Sequence, residues 1–153
     1  MARPTGTWLS GLGAAGVEIR PAGGHRGHRF GLPADGPGSV ASFGRRSAAF
    51  AIDALASGFI AGLFIRDPES AARGLLGVAV LGAVYVLLVP LVGQTPGMRL
   101  LRLRLVSTSQ GPLSLPRALL RFALLGLLLP ALVSDPDGRG LHDKAVGSVV
   151  VRA

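Results

Sequence analysis

Apolar residues in this chain gather into long runs that are separated by short polar stretches. The first run predicts a helix over 46–65, which ends at the charged turn Arg66–Glu69. The second predicts a helix over 72–92, and its core, Gly74–Val92, holds 19 residues without a charge. At 1.5 Å per residue, 19 residues reach about 28 Å, close to the roughly 30 Å hydrocarbon core of a bilayer. Both runs therefore indicate membrane-spanning helices.

A third run, over 115–133, is less regular. Arg117 and Arg121 interrupt its first half, and the uninterrupted apolar part, Phe122–Val133, has 12 residues, too few to cross a bilayer unaided. The run spans only when both arginines lie in the headgroup layer or extend back to it. A re-entrant or tilted hairpin bent at Pro130 is the alternative, and three full spans are the preferred interpretation.

Two shorter stretches have the period of a β-strand. Leucine and arginine alternate within 101–106, and the β-branched residues of 148–152 provide a partner strand. The predicted fold class is an all-α membrane protein with about three transmembrane or intramembrane helices and a small two-strand interfacial element. Paired strands must lie on one side of the membrane, whereas three full spans would separate them, and the pattern leaves this conflict open.

Residues 1–42 are dense in glycine and proline and contain no run that could bury a face. They predict a disordered cytoplasmic tail, followed by a membrane domain over 43–153. The stretch Trp8–Val17 is short and broken by glycines, so a signal peptide is not expected.

Charge and composition agree with a membrane location. Hydrophobic residues make up 49% of the chain and aromatic residues only 5%, and the net charge is +8. The positive charges flank the apolar runs, which indicates positive-inside anchoring rather than nucleic-acid binding. Six basic residues precede the first run's apolar core, so the N-terminus is expected in the cytoplasm of a cell with a plasma (inner) membrane. Fifteen arginines against one lysine indicate a GC-rich, actinobacterial type of genome.

One carboxylate, Asp53, lies well inside the first run. An unpaired charge at that depth costs on the order of 3 kcal/mol, so it normally has a partner. Arg46 is on the same helix face but about 10 Å away along the axis. Arg121 matches Asp53 in depth, with Arg117 one turn above it. We therefore predict an intramembrane charge network of these four residues in which Asp53 pairs with Arg121. The functional alternative is that Asp53 binds a cation or relays a proton.

Other features carry weaker predictions. Gly58 and Gly62 form a GxxxG pattern that allows close helix approach, within the protomer or in a homo-oligomer. Arg139, His142 and Asp143 form a charged cluster after the third run, interpreted as interfacial. No nucleophile–base pair, set of metal ligands or phosphate loop is present in the sequence, so we expect no catalytic residues, no metal, no cofactor and no enzyme activity.

Together these segments resemble the RDD family of bacterial membrane proteins, named for one arginine and two aspartates. The resemblance rests on "RRSAAFAID", with Arg46 and Asp53, on "GQTPGMRLLRLRLV", and on "RALLR" followed by "GLHDKAVGSVVV", where Asp143 is the second aspartate. It implies an integral membrane protein of largely undefined activity, with transport of ions or other ligands suggested.

Two functions are consistent with these predictions. The first is a small polytopic membrane protein that moves a cation, a proton or another small ligand. The second is a membrane scaffold or adaptor that does not transport, in which the intramembrane charges fix helix packing. The expected partners are the lipid bilayer, a second copy of the chain through Gly58 and Gly62, and a cation or proton.

Overall fold

A computed structural model describes residues 24–108, 113–127 and 139–153, and residues 1–23 of the predicted tail lie outside these ranges. Within them, a single 3-10 turn at His28–Phe30 precedes the longer elements. In chain order these are α1 (Phe43–Phe64), α2 (Ala71–Val92), α3 (Pro96–Leu100), β1 (Leu103–Ser107), α4 (Leu115–Gly126), α5 (Leu141–Ala145) and β2 (Ser148–Arg152).

Helices α1 and α2 form an antiparallel hairpin. Along it, Gly58 lies beside Gly77, and Asp53 lies beside Tyr85. A Cβ added at Gly77 would lie 3.7 Å from the Cα of Gly58, so small residues let the two backbones approach closely. Each helix has 22 residues, which corresponds to about 33 Å.

Most of the surface of this hairpin is exposed. In the most apolar 18-residue stretch of each helix, only 22% of α1 and 17% of α2 is buried. The exposed side chains include large apolar ones such as Leu55, Phe64, Leu75 and Leu91. Both helices are long and apolar enough to cross a membrane, as the sequence predicts.

Helix α2 is irregular near its end. Over Val84–Leu88 it widens into a π-type turn that contains the buried Tyr85. Pro90, just beyond, has no N–H to donate to the carbonyl four residues earlier, and prolines are a common cause of such irregularity. The helix ends at Val92 and is capped by Gly93, whose φ of 74° fits glycine and whose N–H donates to the Val89 carbonyl.

Strands β1 and β2 pair antiparallel, in a register that runs from Leu103 opposite Arg152 to Ser107 opposite Ser148. The predicted two-strand element is therefore confirmed, although β1 begins at Leu103 rather than at residue 101. Burial alternates along β1 as the leucine–arginine pattern predicts. The two strands lie on the same side of any membrane that α1 and α2 cross.

Part of the predicted tail packs against this sheet. Within residues 24–42, Val40 forms a bridge to Val151, and the Ala41 N–H donates to the Val150 carbonyl over 2.9 Å. Strand β2 therefore lies between β1 and this N-terminal segment, which explains why its valines are buried without alternation. The segment pairs here because the backbone of β2 offers a second edge to it.

Helix α4 has 12 residues, or about 18 Å, and ends before the predicted limit of residue 133. Residues 128–133 lie outside the described ranges. Strand β1 precedes α4 and β2 follows it, and the two strands pair. The chain therefore returns to the same sheet after α4. Two helices of spanning length are present in the described residues, and the preferred interpretation of three full spans is not confirmed.

Candidate functional site

The carboxylate of Asp53 is buried and fully engaged by uncharged donors. Thr95 donates its hydroxyl to Oδ2 over 2.5 Å, and the Gly97 N–H donates to Oδ1 over 2.7 Å. The Tyr85 hydroxyl lies 3.4 Å from Oδ2. Only 3% of the Asp53 surface is exposed. These contacts tie the middle of α1 to α2 and to the first turn of α3.

The local sequence explains this arrangement. Thr95 caps α3, because its hydroxyl oxygen accepts from the Met98 N–H over 3.2 Å, and Pro96 occupies the first helical position. The same hydroxyl is then oriented to donate to Asp53. Gly97 has no side chain, and a Cβ there would overlap the Ala49 carbonyl oxygen on α1. Glycine is therefore required for the α3 backbone to reach the carboxylate.

The second buried carboxylate, Asp143, gathers two arginines and a histidine. Arg121 Nε donates to Oδ1 over 2.8 Å, and Arg46 Nη1 lies 3.3 Å from Oδ2. His142 Nε2 lies 3.4 Å from the same Oδ2, and the Ser148 hydroxyl is 3.4 Å from Oδ1. Asp143 is completely buried. One carboxylate thus joins α1, α4, α5 and the start of β2.

The protonation of Asp143 follows from its neighbours. Its burial acts to raise the pKa, because a low-dielectric interior disfavours the charged form. The charges of Arg121, His142 and Arg46 and the hydrogen bond from Arg121 outweigh this effect, and the pKa of Asp143 lies below its usual value. The carboxylate is therefore ionised at neutral pH.

The predicted pairing of Asp53 with Arg121 is wrong. Arg121 lies on Asp143, while Asp53 is held by Thr95 and Gly97. Tyr85 lies between the two sites. The centroid of the Tyr85 ring is 5.9 Å from the guanidinium carbon of Arg121, and the Tyr85 hydroxyl points to Asp53. Depth matching along the sequence could not give the direction in which the Arg121 side chain extends.

The other predicted residues fall into two groups. Arg46, Arg121, His142 and Asp143 come together, so members of the predicted intramembrane network and of the interfacial cluster form one site. Arg117 lies exposed on α4 rather than buried with Arg121.

The structure places Arg139 beside the ring of Phe30. Its guanidinium carbon stacks 4.4 Å from the centroid of the Phe30 ring, a cation–π contact. Gly62, of the GxxxG pair, faces the Arg73 side chain, which a Cβ would approach to 2.8 Å. The GxxxG face is therefore used at least in part within the protomer.

Three partners of Asp53 were missed from the sequence. Thr95 and Gly97 stand in "GQTPG", where the Thr-Pro pair signals a helix start, and that signal could have identified Thr95 as a cap. Tyr85 is the single tyrosine of the chain, within a run that has no charge, and a lone hydroxyl in an apolar run calls for a partner.

A cavity of about 190 Å³ lies between the helices and the sheet, beside Asp143. Its walls are mostly apolar, with Phe43, Phe50, Met98, Leu103, Leu125 and Val150. Arg46, Tyr85, Arg121 and His142 supply the main polar groups. The cavity reaches the surface at Phe43, which is 44% exposed.

Two buried N–H groups at this cavity are left over. Arg46 Nε and Arg121 Nη1 have no hydrogen-bond partner in the described part of the chain. Unsatisfied buried donors cost roughly 1–3 kcal/mol, and more when they are charged, so native proteins rarely leave them without an acceptor. The described residues contain no group of three or more histidine and carboxylate side chains that could hold a metal ion.

Comparison with known proteins identifies the domain. No curated protein and no solved structure matches this chain significantly. The model of the RDD family matches residues 40–147, a range that contains α1, both buried carboxylates and the arginines of the second site. Together with the two apolar helices, the match indicates a membrane protein. The chain belongs to the RDD family.

Proposed function

We propose that this chain is a small multi-pass protein of the bacterial plasma (inner) membrane whose buried charges fix helix packing rather than conduct ions. The observation that carries this proposal is the state of Asp53. Donors from the same chain occupy both of its oxygens, over 2.5 and 2.7 Å. A carboxylate held in this way acts as a structural connection between α1, α2 and α3.

The proposed topology has two spans. Helices α1 and α2 cross the bilayer, and the basic residues before α1 and after α2 place the N-terminus and the sheet in the cytoplasm. The connection Ile65–Ser70, with Asp67 and Glu69 balancing Arg66, lies outside. Helix α4, at about 18 Å, is too short to cross and lies along the cytoplasmic interface.

Single-cysteine labelling tests this topology cleanly, because the chain has no cysteine of its own. Arg104→Cys on β1 and Ala153→Cys after β2 should both react from the cytoplasmic side with a membrane-impermeant maleimide. Pro68→Cys should react only from the opposite side. Reaction of Arg104→Cys and Ala153→Cys from opposite sides would exclude the two-span arrangement.

Transport of a cation or proton is the second candidate. It is favoured by the position of Asp53, a buried carboxylate in a helix whose other charges stand near its first turns. As a single protomer encloses little, such a pathway would require a homo-oligomer. Of the GxxxG pair, Gly58 is the proposed contact, because Gly62 faces Arg73 of its own protomer.

Flux into proteoliposomes discriminates between the two candidates. The purified protein should produce no pH-dye response under a Na⁺, K⁺ or H⁺ gradient if the charges only fix packing. Asp53→Asn should then lower the stability of the protein and change nothing else. Flux that Asp53→Asn abolishes while the protein assembles and elutes unchanged would establish transport instead.

Gly58→Ala, where a Cβ meets nothing within 4 Å, tests whether an oligomer seen by light scattering uses this face.

A further inference from the structure

We propose that the cavity beside Asp143 binds a monoanionic amphiphile, with an oxyanion head on Arg46 and Arg121 and a hydrocarbon body along the apolar wall. This inference goes beyond the packing role of the charges. It rests on the charge balance, the unused donors and the shape of the cavity.

The charge balance of the site is incomplete. Arg46 and Arg121 carry two positive charges, and Asp143 supplies one negative charge to both. Among the described residues, these three groups therefore hold an excess of one positive charge, to which a protonated His142 would add. Arg121 is only 3% exposed, so solvent provides little compensation. A single bound anion would balance the two arginines against two negative charges.

The unused donors define where an anion binds. Arg46 Nε and Arg121 Nη1 are buried, belong to side chains that line the cavity, and have no acceptor among the described residues. A carboxylate or phosphodiester offers two oxygens and can accept from both guanidinium groups. Asp143 already uses its own oxygens on Arg121 Nε and Arg46 Nη1. The second anion therefore completes the pairing rather than displacing Asp143.

The rest of the cavity selects an amphiphile over a small inorganic ion. Phe50, Met98 and Leu125 form its apolar wall, and about 190 Å³ exceeds the roughly 150 Å³ of a cavity that holds benzene. The exposed ring of Phe43 stands where the cavity reaches the surface. A chain too long for the cavity can leave past this ring, which lies in the first turn of α1.

Decanoate is the probe, tested on the full chain in dodecyl maltoside micelles by thermal unfolding and native mass spectrometry. Saturable stabilisation with one decanoate per chain is expected. Acetate, which has the head without the tail, and decyl maltoside, which has the tail without the charge, should not compete with it. A parallel arm with phosphatidylglycerol distinguishes a phospholipid from a fatty acid as the source of the anion, and saturable one-to-one binding of either supports the proposal.

Variants locate the site. Arg46→Lys keeps a charge but removes Nε, and should raise the half-saturating decanoate concentration at least tenfold. Ser47→Phe fills the cavity from its lining without touching the contacts of Asp143, and should abolish the stabilisation while the variant remains folded. Ala48→Leu, at the neighbouring position that does not line the cavity, is the control and should bind like the unmodified protein. Equal binding by Ser47→Phe, or equal stabilisation by decyl maltoside, would overturn the proposal.

Discussion

The hydroxyl of Thr95 offers the sharpest test of the Asp53 site. Thr95→Val keeps the shape of the side chain but removes the donor to Asp53 and the acceptor for the Met98 N–H. A hydrogen bond to a charged group contributes about 1.5–3 kcal/mol, and loss of a helix cap adds about 1 kcal/mol. The variant should therefore lose about 2.5–4 kcal/mol of unfolding free energy.

Thr95→Ser is the matched control, because it keeps the hydroxyl and removes a single buried methyl group. Its expected loss is about 1 kcal/mol. Free energies are measured by titrating the protein with SDS in mixed micelles and following the helical signal by circular dichroism. The valine and serine variants should therefore differ by about 1.5–3 kcal/mol.

A double-mutant cycle with Asp53→Asn then separates the bond to the carboxylate from the cap. In the asparagine background the charge-assisted bond is absent, so Thr95→Val should cost about 1–2 kcal/mol less than in the unmodified protein. Equal costs of Thr95→Val in both backgrounds would refute the direct bond. A valine variant as stable as the serine variant would refute the role of the hydroxyl altogether.

Three further predictions concern packing and charge. Gly97→Ala should prevent stable folding because its Cβ overlaps the Ala49 carbonyl, whereas Gly74→Ala, whose Cβ meets nothing within 4 Å, should be neutral or stabilising by up to about 1 kcal/mol. Size-exclusion thermostability compares the two variants, and equal behaviour would contradict the close approach of α3 to α1. Arg121→Met should lower the free energy of unfolding by about 3–5 kcal/mol. The double variant with Asp143→Asn should lose about 2 kcal/mol less than the sum of the two single variants in the same SDS titration, and additive losses would exclude the pair. The pKa of Asp143 is lowered in the folded state, so its contribution to stability is full above its unfolded pKa near 3.8 and is lost as pH falls through the folded value. The difference in unfolding free energy between the unmodified protein and Asp143→Asn should therefore shrink below about pH 4. A constant difference down to about pH 2 would contradict this.

The hairpin and the sheet could be predicted from the sequence because each depends on local periodicity. Long apolar runs predicted α1 and α2, and the alternation around Leu103 predicted β1. The partner of Asp53 could not be found in this way. Matching charges assumes that a buried carboxylate needs a cation, whereas Asp53 is held by two hydroxyls and a backbone N–H.

The second site was beyond prediction for a different reason. Asp143 meets Arg121 across 22 residues and Arg46 across 97, and no local period encodes such a contact. The sequence placed these residues in two separate clusters. Only the return of the chain through β2 to the sheet brings the two clusters together.

The same separation along the chain sets an order of biogenesis. The ribosome makes Arg46 and Arg121 before it makes Asp143. Of the described elements it makes β2 last, and β2 is the strand on which β1 and the N-terminal segment both pair. Until then the two guanidinium groups have no carboxylate from this site, and the N-terminal segment and β1 have no strand between them. Closure of the domain is therefore a late event in translation. A chain that stops before Asp143 leaves both arginines without this carboxylate and leaves two strand edges open.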